Sequence, residues 1–250
     1  MKINSIKAAP KFISYGKFKP IKKSFAKTAE NTVAGPENQG GMYVKPLDVS
    51  KSQQTTITKA LNELSKAEFL PNDVFYMQSL GVNMPFKSGH DAVQYLNNKN
   101  IDIAYAEFSN PDVHACLDTS KKTPSILINA RYKDLASFSE VLAISEAIMH
   151  EISHAKDNDS INSIQEEIDC LASNVLVHEY YKSVYPKAYK DENSPLMSDG
   201  VSLYPRLFFD FDTSKDALKK RISEKYGFLN VASPNHAASK MAIDIKNISK

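Results

Sequence analysis

The chain has 250 residues, 42% hydrophobic and 24% charged, a balance that excludes wholesale disorder. Eight glycines and two cysteines exclude a collagen-like chain or a disulfide scaffold, and no apolar run reaches the roughly eighteen residues of a membrane span. The net charge of +2 argues against a dedicated nucleic-acid binder, yet residues 1–30 carry +7 and the rest carries −5.

Residues 1–50 read as a flexible basic arm and linker. The eight lysines of residues 1–30 are spaced by Phe12, Tyr15, Phe18 and Phe25, a composition suited to an acidic partner or surface. Lys2 is followed by no apolar h-region and no small-residue cleavage site, so the arm does not read as a standard secretory signal. Cys116 and Cys170 lie outside any CxxC and read as reduced, which points to the cytoplasm; export by a non-standard route stays open. Gly35-Pro36 and Gly40-Gly41 mark the linker.

Residues 51–250 read as one α+β domain. Ile57, Leu61, Leu64 and Phe69 recur near helical spacing, so a helix is expected over 55–68, ended by Pro71. Residues 74–78 (VFYMQ) lean toward β. Ser88 suits the N-cap of a helix over 89–98. Alternation in IDIAYAEF predicts a strand over 101–108, and SILINAR predicts another over 125–131. A long helix is expected over 137–156, where Ala, Leu, Ile and Glu dominate without Gly or Pro. A second follows over 163–184, then a loop over 187–203, apolar pieces at 207–211, and helices near 214–226 and 235–248.

The first long helix contains His150-Glu151-Ile152-Ser153-His154, an HExxH motif. Residues i and i+4 share a helix face, so the two imidazoles can converge on one ion while Glu151 takes a proton from the water that the ion activates. With 6 His and 13 Glu in the chain, chance placement gives about 0.007 matches, so coincidence is a poor explanation.

IMHEISHA (148–155) resembles the active-site helix of zincin metallopeptidases, and QEEIDCLASNVL (165–176) resembles the glutamate-bearing helix of gluzincins, of the ImmA/IrrE or CAAX-prenyl-protease type. The resemblance covers about 125–182. It implies a zincin-like fold, a small mixed sheet packed on the HExxH helix and the following helix. It also implies a Zn²⁺ site with a carboxylate third ligand. Metzincins are excluded, since Asp157 and Ser160 stand where their Gly and third His belong. Ile161, Ile164, Ile168, Leu171, Ala172 and Val175 form one apolar face; Glu167 lies beside it, and Glu166 points to the opposite side with Asn162, Asp169 and Ser173. Glu167 is therefore preferred as the ligand, with Glu166 the alternative and Asp169 a weaker third. Many gluzincins place the ligand Glu four residues before an Asp or Asn, which here would be Gln165. Asp169 is the expected acceptor for a ligand imidazole. Candidates for oxyanion stabilisation are His178, Tyr180, Tyr181, Tyr204, Arg206 and His236. His90 and His114 read as structural or surface residues.

The resulting expectation is a Zn²⁺-dependent peptidase acting on a polypeptide, with His150, His154 and Glu167 on the metal and Glu151 as general base. The 125–131 strand is expected to be the edge that pairs with the substrate. The alternative is an inactive or regulatory zincin-like binding module recruited through the basic arm.

Overall fold

In a computed structural model of the protein, the described residues are 44–47, 55–108, 113–119, 123–134, 137–157, 163–190, 205, 207–209 and 213–225. Four strands, β1 (Val44–Pro46), β2 (Asp102–Phe108), β3 (Ala115–Asp118) and β4 (Ser125–Asn129), form one mixed sheet in the order β1-β2-β4-β3. β2 and β4 run parallel, with Asp102 opposite Ser125 and Ala106 opposite Asn129. β1 and β3 are antiparallel to their neighbours on the two sides of this pair. Parallel central strands are covered on both faces, and all five residues of β4 are accordingly buried. The helices are α1 (Thr55–Leu64), α2 (Pro71–Ser79), α3 (Gly89–Asn98), α4 (Phe138–Asp157), α5 (Ile164–Val184) and α6 (Lys215–Lys225); the architecture is mixed α+β.

The two long helices and α3 lie within a residue or two of their expected spans. Ser88 caps α3, its hydroxyl accepting from Asp91 N–H at 3.2 Å. Four expectations need correction. Pro71 does not end the first helix; it is the first residue of α2, where its missing N–H costs nothing. The β-leaning VFYMQ stretch lies inside α2, with Asp73 at the helix's positive end. β1 lies within the segment read as arm and linker, its pairing to β2 supplied by a distant part of the chain. The strand over 125–131 stops at Asn129 and is internal; among the described residues β3 forms the edge on its side of the sheet and β1 the other. The basic arm over 1–30, the 191–203 stretch and the helix expected near 235–248 lie outside the described residues.

The main core joins the sheet to the two long helices. Ile103, Tyr105, Ile126 and Ile128 meet Leu142, Ile144, Ile148, Met149 and Ile152 of α4 and Ile164, Ile168, Leu171 and Val175 of α5. α5 is buried on several sides, against α4, α2 and α6, so its exposed stripe is narrow. Neither cysteine is in a disulfide, and no described helix is long and apolar enough to cross a membrane.

Candidate metal centre

α4 and α5 bring the HExxH face and the start of the next helix together. His150 Nε2 and His154 Nε2 are 3.1 Å apart. Glu167 supplies the third corner, with one oxygen 3.5 Å from His154 Nε2 and the other 3.8 Å from His150 Nε2. Bonds of about 2.0–2.1 Å at tetrahedral angles place donor atoms about 3.3 Å apart, so the three distances bracket what one ion needs. His150, His154 and Glu167 thus form a group that can hold a metal ion.

The electrostatics favour a cation. Glu151, Glu166 and Glu167 are 9%, 5% and 3% exposed, three carboxylates packed around two imidazoles. Buried carboxylates of one sign need a positive partner or must take up protons. The pKa of Glu151 is pushed up to about 7, chiefly by burial; His154 opposes this, and Glu167 and Glu166 add to it. Burial also works against charge on His154, but Cys170, Glu167 and Glu166 hold its pKa well above the ordinary value. A divalent ion among these groups replaces the protons and reverses both tendencies.

Glu166 has a role the helical wheel conceals. It occupies the third position of α5 in a capping box: its backbone N–H donates to Ser163 Oγ at 3.1 Å, and its Oε2 accepts from Ser163 N–H at 3.3 Å. Its other oxygen lies 2.6 Å from His154 Nδ1. A carboxylate at this buried contact accepts, so Nδ1 carries a proton and Nε2 is the nitrogen turned toward His150 and Glu167. Glu166 is therefore not on the side opposite the site, as periodicity suggests. It orients the His154 ring, the task expected of Asp169. Asp169 instead accepts from Asn83 N–H at 2.9 Å, from the Asn83 side chain at 3.0 Å and from Gln165 at 2.8 Å, tying the 81–83 loop to α5. The signal for Glu166 was present as Ser163-x-x-Glu166, the S-x-x-E pattern of a capping box.

Glu151 faces β3, where its carboxylate accepts from the backbone N–H of Leu117. The four residues of β3 gave no alternation long enough to read, and this strand was missed from sequence. Among the oxyanion candidates, His178 is turned away from the centre: its Nδ1 is 3.1 and 3.3 Å from the two oxygens of Glu146, which also accepts from Tyr189 OH at 3.1 Å. The Tyr181 hydroxyl is hydrogen-bonded with Ser145, and Tyr180 packs its ring on Tyr181. Tyr204, Arg206 and His236 lie outside the described residues. His90 is exposed on α3 beside Gln94, and His114 meets Tyr132 at 2.7 Å, as structural residues do. No family model matches the chain, and comparisons with curated proteins and with solved structures return no match either.

Proposed function

We propose that the chain is a Zn²⁺-dependent peptidase of gluzincin type. The observation that carries this reading is the convergence of His150 Nε2, His154 Nε2 and a Glu167 oxygen within 4.8 Å of one another, with Glu151 beside them. The donor set of two imidazoles and one carboxylate is that of open, catalytic zinc sites rather than closed structural ones. Zn²⁺ bound there supplies Lewis acidity, polarising a carbonyl and acidifying water.

The protein's own groups have separable tasks. His150, His154 and Glu167 hold the ion. Glu166 keeps the His154 ring in one tautomer and one orientation. Glu151, set against β3 beside the two imidazoles, accepts the proton of the attacking water at its carboxylate and returns it to the leaving amine. β3 offers an outer edge along which an extended polypeptide can add as a further strand, and Leu117 sets that edge against Glu151. Binding a polypeptide by main-chain pairing suits a strand edge better than binding a small ligand does.

The test is Glu151→Gln. The native protein and the variant are both expected to hold one Zn²⁺ per chain, and the variant to lose hydrolysis of an unstructured polypeptide such as casein by at least a thousandfold. Full activity in Glu151→Gln, or no Zn²⁺ in the native chain purified without chelator, overturns the reading; the second outcome would favour a binding module.

A further inference from the structure

We propose that the outer side of the His154 ring is a second metal position, suited to a thiophilic divalent cation, whose occupation dismantles the inner one. Three donors of different kinds meet there, from His154, Glu166 and Cys170, all within 4.8 Å of one another. They are 8%, 5% and 1% exposed, so the position is closed to solvent. Glu166 and Cys170 are four residues apart on α5 and therefore share a face; His154 comes across from α4.

The surroundings of Cys170 separate it from a cysteine that merely fills space. Cys116 packs with Ala106 and Leu127 in an apolar cluster. Cys170 belongs to neither hydrophobic cluster of the fold, and its thiol is hydrogen-bonded with His154. A nitrogen, an oxygen and a sulfur make a softer donor set than the inner two nitrogens and one oxygen, and thiolate selects thiophilic ions such as Cd²⁺. With no open face, an ion there is held and has no access to a substrate.

The two positions compete for one ring. A neutral imidazole has a single lone pair, and Nδ1 gives its proton to Glu166 while the inner position is in use. To bind an ion on the outer side, Cys170 releases its thiol proton to solvent and the His154 ring proton moves from Nδ1 to Nε2. The new Nε2–H then has an acceptor already in place, His150 Nε2 at 3.1 Å. The inner triad loses a ligand, so outer occupation switches the inner centre off. The proposal shares His154 with the peptidase reading but does not need that reading to hold.

The test uses the full chain, stripped with chelator, as native protein and as His150→Ala, which removes an inner ligand and leaves all three outer donors. Cd²⁺ binding is followed by thiolate-to-metal charge-transfer absorption in the ultraviolet and by metal analysis. His150→Ala is expected to bind one Cd²⁺ per chain with the thiolate band. Adding Cys170→Ser is expected to remove the band and weaken binding at least tenfold; adding Cys116→Ser is expected to leave both unchanged. Absence of the band in His150→Ala, its persistence without Cys170, or its loss without Cys116 overturns the proposal. Because His150→Ala disables any catalytic centre, these outcomes are independent of whether the chain hydrolyses peptides.

Discussion

Glu166→Gln separates the two tasks of one carboxylate. In the native chain one oxygen receives His154 Nδ1–H at 2.6 Å and the other receives Ser163 N–H at 3.3 Å. Glutamine also completes a capping box, so the variant should keep the α5 start and lose less than about 1 kcal/mol of stability. What it loses is the charge behind the His154 ring. Replacing such an outer partner typically costs about ten- to a hundredfold in metal affinity, or about 1.4–2.7 kcal/mol. On the proposed reading Glu167→Gln removes a direct ligand. Structural zinc sites of four protein ligands are worth roughly 10–16 kcal/mol, about 3 kcal/mol per ligand, and the same share lost here is on the order of a hundredfold or more. Competition of the metal-free variants against a chromophoric chelator gives both affinities, and thermal melts of the same samples give the stabilities. Zn²⁺ binding by Glu166→Gln within twofold of native, with Glu166→Ala losing stability, would make Glu166 a cap and nothing more and refute its second task. Far weaker binding by Glu166→Gln than by Glu167→Gln would exchange the roles of the two residues.

The Glu146–His178 pair should make stability depend on pH. Burial opposes protonation of His178, but the Glu146 carboxylate outweighs it and the pKa is raised. The folded state thus binds the proton more tightly than the unfolded one, so the pair's contribution is complete below about pH 6.5 and is lost as pH rises through the folded value. Denaturant melts on both sides of that window should show the loss in the native chain and a flatter profile in Glu146→Gln. His178→Ala strands Glu146, 2% exposed, with Tyr189 as its remaining described donor, and should cost about 3–5 kcal/mol by the same melts. Gly89→Ala would place a Cβ 2.0 Å from the Leu64 carbonyl oxygen, a backbone atom, and should destabilise by about 1–3 kcal/mol or more. Ile148→Ala, at a fully buried position on α4, should cost about 2–5 kcal/mol in the same assay.

What the sequence made legible followed local rules. The α4 pattern is long, strongly helix-forming and free of breakers, so its span could be read to within a residue. The i, i+4 spacing fixed His150 and His154 on one face because helix geometry allows nothing else. What stayed hidden depended on distant chain. β1 and β3 have three and four residues, too few for a period, and exist because β2 and β4 are there to pair with them. α2 formed against the β-leaning of VFYMQ because Pro71 and Asp73 start a helix at that point. The wheel misplaced Glu166 for a different reason. It reports where a Cβ points, whereas an acid at the third position of a helix turns back over the N-terminus, and here it reaches a ligand ring as well.

That double use of Glu166 explains why the centre sits at the start of α5 and not at its middle. The first turn of a helix has unpaired N–H groups and a partial positive charge, so adjacent carboxylates are tolerated there at low cost. Glu166 and Glu167 occupy this turn, and the capping box fixes the backbone from which both project. The opposing element, the C-terminal end of α4, carries the complementary preference for imidazoles near its negative end, and His154 lies in its last turn. Packing the two ends antiparallel therefore places acids and imidazoles face to face before any ion arrives. The remaining imbalance is three buried carboxylates against two rings, and a divalent cation would offset two of the three negative charges. An ion that bound only the folded arrangement would add RT ln(1 + [M]/Kd) to its stability, so the charge excess that makes the metal-free centre costly would also favour a bound cation.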